Sequence, residues 1–383
     1  MKKVISFVLA LLLCMSMPVS CFAAEKAADN KSNKKINAKA VVLMCMDTGD
    51  VLYKENEYEQ LSPASVTKIM SLLLILEALE SKKITLGDKV TATKDAVSMG
   101  GSQIWLEVGE SMTVEDLLKA VVVASANDAC VALGDYIAGS SVGFVKMMND
   151  RAKELGLKHT NFENCTGLDD SVSNHYSCAY DLAVIASHVM KHKLIQNYTT
   201  IWLDSLRNGK TELNNTNKLV NTYSGITGLK TGTTSNAGFC IAATAKRENL
   251  NLVAVVLGSD TSKDRFDTAA YLLDTGFANY QMMKLKSDSK KITPVKVKYG
   301  SIKSVLPKPE STSGVLVRKG TDSVTYEYDI KKEVSAPVKK GDLLGTIRVM
   351  NEKKKIGEIK LVADVSIAKT TLLSIFKNII TKI

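Results

Sequence analysis

A serine three residues before a lysine could form a catalytic pair, because this spacing puts a nucleophilic hydroxyl and an amine on one helix face. In PASVTKIM the pair is Ser65 and Lys68, at the predicted start of a long apolar helix. Such a lysine can take the serine proton when burial or nearby positive charge keeps it neutral. The alternative is structural: Ser65 caps the helix and Lys68 is a solvated residue of its first turn.

Spacing alone does not select Ser65, because other serines also precede a lysine by three residues. They are Ser32, Ser287, Ser366 and Ser374. Ser32 falls in a polar tether, and Ser287 falls in a predicted linker. Ser366 and Ser374 lie in or beside a predicted C-terminal helix. Only Ser65 precedes an apolar helical pattern inside a predicted globular domain.

Two further motifs supply the groups that a serine-lysine mechanism needs. In VVVASANDA, Ser125 and Asn127 lie between apolar stretches, where polar groups require partners. GLKTGTTS contains the only Lys-Thr-Gly, from Lys230 to Gly232, on a predicted strand whose glycine lets a ligand approach the backbone. The ordered set SxxK, SxN and KTG is typical of class A β-lactamases and penicillin-binding proteins.

The surrounding patterns predict a sheet with helices on its faces. AVVLMCM and VLYKEN, joined by DTGD, predict a hairpin that begins near Lys39. Apolar residues at three- and four-residue spacing predict helices over 66–79, 114–137 and 142–155. Three strand patterns follow Leu229, divided by SNAG and RENLN. Strands at both ends of a helical region indicate one sheet that the terminal strands close.

The two ends of the chain carry targeting patterns. Lys2 and Lys3 precede an apolar run and a small-residue exit at Ala23, as in an export signal. The last fourteen residues, TTLLSIFKNIITKI, separate into an apolar and a polar face, which favours a helix lying in a membrane interface over one docked on the protein itself. The predicted segments are a signal peptide (1–23), a polar tether (24–38), a catalytic domain (39–280), a β-rich domain (281–365) and an amphipathic membrane-anchor helix (366–383).

Composition excludes several classes of protein. With 383 residues, 45% hydrophobic and 23% charged, the chain is neither disordered nor fibrous. The net charge of +10 comes from dispersed lysines without interleaved aromatics, so an anionic membrane and cell wall are expected partners rather than nucleic acid. Five cysteines follow the signal, an odd number without paired spacing, and are predicted to be buried and free.

No metal or other cofactor is predicted. His188 and His192 have the i, i+4 spacing of metal ligands, but Val189 stands where a zinc protease carries its glutamate. No third ligand is evident in the sequence. A solvated helix face explains the pair better.

The sequence resembles the low-molecular-mass penicillin-binding proteins, the serine D-alanyl-D-alanine carboxypeptidases of peptidase family S11, from about Ala40 to the C-terminus. The resemblance rests on PASVTKIM, SMGGSQIWLEVGE, SANDA, GLDDSVSNHYSCAYDLA, GLKTGTTSNAGFC, the β-rich domain and the terminal helix. It implies an α+β fold: a β-lactamase/transpeptidase-like catalytic domain with an antiparallel sheet and helices on its faces, a small β-rich domain and the amphipathic helix.

The resemblance also implies roles for individual residues. Ser65 would attack the penultimate D-alanine carbonyl of a peptidoglycan pentapeptide, Lys68 would take its proton, and Ser125 would relay a proton to the leaving D-alanine. The substrate-binding residues would be Asn127, Lys230, Thr231, Gly232 and Thr233, with Asn127 also holding Lys68. The amides of Ser65 and Thr233 would form the oxyanion hole. β-Lactams would acylate Ser65, and the protein would work outside the cytoplasmic membrane or in the cell wall.

Departures and rival activities concern a few positions. Some family members carry histidine where this chain has Thr233, and glycine where it has Ala126, which leaves substrate preference open. A β-lactamase would need a glutamate in a Glu-x-x-Leu-Asn context; TELNN has the wrong spacing, and Glu163 lacks that context. A transpeptidase and a sensor that is acylated without turnover are further alternatives. The resemblance alone places Arg265 near the pocket that would bind the substrate carboxylate, so Arg265 is not part of the predicted core set.

Overall fold

The computed structural model describes residues 36–169, 172–284, 289–310, 314–321, 324–351 and 353–371. Its α-helices are α1 (Lys68–Glu80), α2 (Lys94–Val97), α3 (Val114–Val123), α4 (Asn127–Ala138), α5 (Ser141–Glu154), α6 (Ala179–Val189), α7 (Gln196–Thr199), α8 (Leu219–Thr222) and α9 (Ser262–Asn279). Short 3₁₀ turns cover Ala64–Thr67, Lys193–Ile195 and Ser289–Lys291.

The strands of the first two thirds of the chain are β1 (Ala40–Cys45), β2 (Val51–Glu55), β3 (Lys89–Thr91), β4 (Ser111–Thr113), β5 (Leu203–Leu206), β6 (Thr211–Asn214), β7 (Ile226–Thr234), β8 (Gly238–Arg247) and β9 (Leu250–Ser259). The remaining strands are β10 (Tyr280–Met283), β11 (Val295–Lys298), β12 (Ser304–Val305), β13 (Lys308–Pro309), β14 (Val315–Arg318), β15 (Thr325–Ile330), β16 (Glu333–Ser335), β17 (Leu343–Asn351) and β18 (Lys354–Val362).

A five-stranded antiparallel sheet in the order β2-β1-β9-β8-β7 forms the centre of the larger, N-terminal part. The N-terminal hairpin supplies β2 and β1, and β1 pairs with β9 so that Val42 lies opposite Val255. The strands β7, β8 and β9 follow one another through short turns. The predicted α+β architecture, a sheet whose first and last strands come from the two ends of the segment, is confirmed.

Both faces of this sheet are buried, which explains the continuous apolar runs of β1 and β9. Val42 and Val255 belong to the large core that the sheet shares with α1 and α6. Leu43, pointing to the other face, lies under α9, where Gly276 lets the helix approach: a Cβ there would be 3.0 Å from Leu43 Cδ2. The helices therefore cover both faces of the sheet.

Two predicted helices differ from the observed ones. The pattern over 66–79 becomes the 3₁₀ turn Ala64–Thr67 followed by α1, which is buried over almost its entire length. The pattern over 114–137 breaks into α3 and α4 at residues 124–126, because Ser125 has a left-handed backbone (φ +62°) that no α-helix accommodates. Apolar residues continue at three- and four-residue spacing across this break, so the spacing alone does not reveal it.

The C-terminal part is rich in β-structure. One sheet has the order β12-β11-β16, and another has the order β13-β18-β17-β15. The strand β10, which directly follows α9, pairs antiparallel with β14. This part contains two small apolar cores, one around Val295 and Leu344 and the other around Ile347 and Leu361.

The chain does not enter a helix at residue 366, where the predicted anchor helix begins. Ile367 bridges to Val338 and is buried with it, and Lys369 bridges to Gly300. Residues 372–383, the rest of that predicted helix, and residues 1–35, with the predicted signal and most of the tether, lie outside the described residues. Among the helices that the structure describes, none has the length and apolar character to cross a membrane.

Candidate active site

Ser65 and Lys68 form a direct hydrogen bond. Lys68 Nζ donates to Ser65 Oγ at 2.9 Å and to the carbonyl oxygen of Thr166 at 2.8 Å. The side chain of Lys68 is fully buried, and burial lowers its pKa to about 8. A substantial fraction of such lysines is neutral in mildly alkaline solution, so Lys68 can accept the proton of Ser65.

Two glycines fix the turn that carries Ser65. A Cβ on Gly232 of β7 would lie 2.8 Å from Ser65 N. On the opposite side, a Cβ on Gly167 (φ +83°) would lie only 1.8 Å from the carbonyl oxygen of Ala64. Ala64 itself has a left-handed backbone (φ +48°) although it is fully buried. Packing on both sides therefore holds a strained turn in one position.

Ser65 does not cap α1. The residue at the capping position of α1 is Thr67, and no side-chain cap bond is formed there or at the start of the 3₁₀ turn. Lys68 is likewise not a solvated residue. The structural alternative to a catalytic pair is therefore wrong in both of its parts.

Ser125 lies in the break between α3 and α4, Asn127 begins α4, and each has a buried oxygen without a hydrogen-bond partner. These atoms are Ser125 Oγ and Asn127 Oδ1. Leaving a buried polar group unpaired costs about 1–3 kcal/mol, so each such group requires an explanation, of which a ligand-binding or catalytic role is one. The Asn127 amide donates through Nδ2 to Gly100 O at 2.7 Å. The described bonds of Lys68 go to Ser65 and Thr166 rather than to Asn127.

Lys230 is a second fully buried lysine, on β7. Its Nζ donates to the carbonyl oxygen of Thr231 at 3.1 Å. Burial, together with the positive charges of Lys68 and Arg265, lowers the pKa of Lys230 well below its usual value. An anion bound beside Lys230 would relieve this repulsion.

Thr231 joins β7 to the Ser125 break through Thr216. Thr231 Oγ1 donates to Thr216 Oγ1 at 2.7 Å, and the amide of Thr216 donates to the carbonyl oxygen of Val123, the last residue of α3. The KTG strand and the SxN segment are thereby fixed to one another. Thr216 does not belong to any of the three sequence motifs.

Thr233 and Arg265 lie at the exposed end of the KTG segment. Arg265 Nη1 donates to Thr233 Oγ1 at 2.9 Å and to the carbonyl oxygen of Gly232 at 2.8 Å. Arg265 Nε is buried without a partner, and burial lowers the pKa of the guanidinium to about 10. Arg265 is thus a functional candidate outside the predicted core set.

Glu163, the candidate glutamate of the β-lactamase alternative, holds a turn instead. Its Oε2 accepts the amide of Asn174 at 2.7 Å. Glu212, in the TELNN segment, is an exposed residue of β6. Neither carboxylate has a described hydrogen bond to Ser65, Lys68 or Ser125.

Comparison with known proteins gives two family matches. Residues 25–261 match the family described as D-alanyl-D-alanine carboxypeptidase. Residues 280–369 match the family described as penicillin-binding protein 5, C-terminal domain.

Individual relatives agree with both matches. The chain is 40% identical to D-alanyl-D-alanine carboxypeptidase DacF of Bacillus subtilis, over 99% of this chain and 98% of that protein. Penicillin-binding protein 5 of Haemophilus influenzae superposes with a TM-score of 0.75 at 32% identity, covering 88% of this chain and 99% of that one. Penicillin-binding protein D2 of Listeria monocytogenes, solved in its ampicillin-bound form, superposes with a TM-score of 0.59 at 30% identity, covering 64% of this chain and 99% of that one.

Proposed function

Because the chain belongs to the D-alanyl-D-alanine carboxypeptidase family, we propose that it removes the terminal D-alanine from cell-wall stem peptides ending in D-Ala-D-Ala. Ser65 Oγ bonds to the penultimate D-alanine carbonyl carbon, the peptide bond breaks, and D-alanine leaves. Water then hydrolyses the Ser65 ester and regenerates the hydroxyl. The observation that carries the proposal is the 2.9 Å hydrogen bond between Lys68 and Ser65.

Two side chains move the protons in this scheme. Neutral Lys68 accepts the proton of Ser65 as the new bond forms, and its partner Thr166 O keeps the amine aimed at Oγ. Ser125 passes a proton to the nitrogen of the leaving D-alanine. Its unpartnered hydroxyl is buried, so it has no competing acceptor within the described protein. These roles extend the motif-based prediction.

The amides of Ser65 and Thr233 are the proposed oxyanion hole. The tight approach of Gly232 to Ser65 N brings the backbone of β7 beside the nucleophile. Backbone donors held this firmly need little reorganisation as negative charge develops on the carbonyl oxygen. Any side chain at position 232 would push the two donors apart.

The terminal carboxylate of the substrate is proposed to bind to Lys230, Thr231, Thr233 and Arg265. The substrate amide is proposed to bind to Asn127. Two buried cations without a described counter-ion favour an anionic ligand at this end of the cleft. The pKa of Lys230 rises when a carboxylate binds, so the pair forms with Lys230 protonated. This requirement explains a preference for substrates with a free C-terminus.

β-Lactams are proposed to acylate Ser65. The similarity to penicillin-binding protein D2, whose structure was solved in its ampicillin-bound form, supports this assignment. The strained amide of such a compound places a carboxylate and a carbonyl carbon at a separation similar to that in D-Ala-D-Ala.

The cellular placement follows the same proposal. The enzyme is exported by residues 1–23, is tethered by 24–38, and lies on the outer face of the cytoplasmic membrane through its C-terminal amphipathic segment. The proposed catalytic and β-rich domains span 39–280 and 281–365. The matches to the carboxypeptidase family and to the penicillin-binding protein 5 C-terminal family support this division.

The test compares Ser65→Ala with a matched control. Ser366→Ala removes the hydroxyl from another Ser-x-x-Lys sequence, in the β-rich part of the chain. The wild type and Ser366→Ala should release D-alanine from diacetyl-Lys-D-Ala-D-Ala and gain the mass of penicillin, with the adduct on the peptide that contains Ser65. Ser65→Ala should do neither while retaining its circular dichroism spectrum. Labelling that persists in Ser65→Ala would overturn the assignment, and labelling without D-alanine release in the wild type would indicate a sensor.

A further inference from the structure

Trp105 has an unusual backbone and an unusually exposed side chain. Its φ is +58°, a left-handed conformation that is costly for a bulky residue. Its indole is 74% exposed to solvent. Neither local turn chemistry nor packing of the indole explains this choice of residue, because Gly or Asn would adopt the backbone with less strain.

Buried polar contacts hold the strained backbone in place. The carboxylate of Asp128, which is fully buried, accepts the amide of Ile104 at 3.1 Å and that of Leu106 at 3.0 Å. Arg207 donates through Nη1 to the carbonyl oxygen of Ile104 at 2.8 Å. These contacts fix the backbone on both sides of Trp105, so its exposed indole forms a platform on a rigid segment.

The segment that carries Trp105 is directly connected to Asn127, a proposed substrate-binding residue. Asp128 follows Asn127 in the chain. The backbone N–H of Asn127 donates to the carbonyl oxygen of Ser102 at 2.7 Å. The side-chain Nδ2 of Asn127 donates to the carbonyl oxygen of Gly100, also at 2.7 Å. The segment that carries Trp105 therefore lies next to the SxN residues, and Trp105 itself is three residues from the Ser102 contact.

A groove of about 650 Å³ lies beside the indole. Its charged lining residues are Arg207, Lys210, Glu107, Glu110 and Glu212. Arg207 and Glu110 are already joined, with Nε to Oε1 at 2.6 Å. Charges of both signs next to an aromatic face suit a neutral ligand with many hydroxyl and amide groups better than they suit a charged peptide.

We propose that Trp105 and this groove bind a saccharide of the wall polymer, an N-acetylated hexosamine unit of the glycan that carries the stem peptide. This inference rests on the proposed function. The apolar face of a sugar ring stacks on the indole, while its hydroxyl and acetamido groups bond to the charged side chains of the groove. The site selects polymer-linked peptides over free ones without contacting the scissile bond.

The first experiment compares two substrates. Trp105→Ala should lower kcat/KM for a disaccharide-pentapeptide about threefold to tenfold, the range expected for loss of one aromatic contact. For diacetyl-Lys-D-Ala-D-Ala the change should stay within about twofold, since the peptide end of the cleft is intact. Trp105→Tyr should restore most of the difference. Equal losses on both substrates, or no loss on either, would overturn the saccharide site.

Two controls separate this inference from the backbone and from the proposed function. Trp105→Gly, which relieves the left-handed strain, should show the same selective loss as Trp105→Ala. Trp202→Phe, at the other tryptophan of the chain, should leave both substrates unaffected. A wild-type enzyme that does not release D-alanine from the short peptide would count against the proposed function. The role of Trp105 is tested only by the ratio of kcat/KM between the two substrates.

A binding measurement supplies a readout independent of turnover. In Trp202→Phe, Trp105 is the remaining tryptophan, so its fluorescence reports on the groove. Titration with diacetylchitobiose, which carries no peptide, should change the emission saturably, and free pentapeptide should not. Emission that responds to the peptide and not to the sugar would contradict the inference.

Discussion

Lys68 and Lys230 show how neighbours give one residue type two uses. Both ammonium groups are buried, and burial lowers the pKa of each. Lys68 has Ser65 Oγ and Thr166 O as acceptors and lies against the nucleophile. Lys230 lies near the positive charges of Lys68 and Arg265 and has one backbone acceptor. Its protonated form would therefore be stabilised by a bound anion. We infer a base in the first case and an anion receptor in the second.

Acylation should accelerate with pH. Burial lowers the pKa of Lys68 to about 8, so the base is mostly protonated below this value and mostly neutral above it. The second-order rate constant for fluorescent penicillin should rise roughly tenfold per pH unit well below pH 8 and level off about one unit above it. A stopped-flow series from pH 6 to 10 measures this profile.

The control for the pH series is circular dichroism at each pH, which separates titration of the base from unfolding. A rate that stays flat across the series would contradict the assignment of Lys68 as the base. An inflection at the usual lysine pKa would contradict its burial-lowered value.

The three motifs predicted the reactive and ligand-binding side chains but did not reveal the groups that hold these side chains in position. Ser65, Lys68 and Lys230 carry recognisable side chains at a diagnostic spacing. Thr166 contributes a backbone carbonyl, which leaves no trace in residue type. Arg265 reaches Thr233 from a helix more than thirty residues away, a contact that exists only once α9 lies across the sheet.

At the scale of elements, the break between α3 and α4 is the clearest conflict between local preference and function. Local preference would continue one helix through Ser125, since apolar residues recur at helical spacing on both sides of it. Instead Ser125 has φ +62° and a buried, unpartnered hydroxyl. Both features cost stability, and together they leave a hydroxyl group available to a ligand.

Replacing Ser125 with glycine or with alanine should separate these two costs. Either variant lacks the hydroxyl and should lose D-alanine release by about 10²-fold or more, the usual scale for a proton-transfer group. Glycine should be more stable than alanine by about 1 kcal/mol, because only glycine adopts this backbone without strain. Chemical denaturation measures the difference. Equal stability of the two variants would show that position 125 is unstrained.

The turn before α1 yields a second prediction. Gly167→Ala should destabilise the protein by about 3 kcal/mol or more and abolish acylation, because a Cβ would be 1.8 Å from Ala64 O. Gly209→Ala is the matched control: it has a similar φ of +88° with no atom within 4 Å of the added Cβ. It should cost only about 1 kcal/mol and leave activity intact. Denaturation curves and penicillin labelling test both variants, and equal effects would refute the steric argument.

Sequence patterns predicted the sheet well because its strands are locally marked. The hairpin turn separates β1 from β2, and the SNAG and RENLN segments mark the boundaries between β7, β8 and β9, although β8 begins at Gly238 within SNAG and β9 begins at Leu250 within RENLN. The 3₁₀ turn at Ala64–Thr67 was not predictable, since packing against Gly167 and Gly232 determines it. Contacts distant in sequence, rather than propensity, decide such segments.

At the scale of the whole molecule, the described chain continues to Thr371 without forming a helix after residue 365. The amide of Thr370 donates to the carbonyl oxygen of Tyr299 at 2.7 Å, and Lys369 bridges to Gly300. The last residues before the proposed anchor are therefore part of the β-rich structure. A truncation that tests the anchor must keep them.

Removal of residues 372–383 should release the protein from membranes without loss of activity. Membrane fractionation and D-alanine release from the short peptide measure the two properties. A cut after residue 365 is the comparison, because it also removes buried Ile367 and its bridge to Val338. That variant should lose stability as well. A protein without 372–383 that remains in the membrane fraction would contradict the anchor.

The pairing of β1 with β9 has a consequence for the order of assembly. Val42 lies opposite Val255, more than 200 residues later in the chain. At typical synthesis rates of about 5–20 residues per second, β9 emerges from the ribosome roughly 10–40 s after β1. Lys230 and Arg265 also emerge late, so the nascent chain contains Ser65 long before the cleft can exist. Catalytic activity therefore requires nearly the entire sheet. A chain whose synthesis stops early is expected to be inactive.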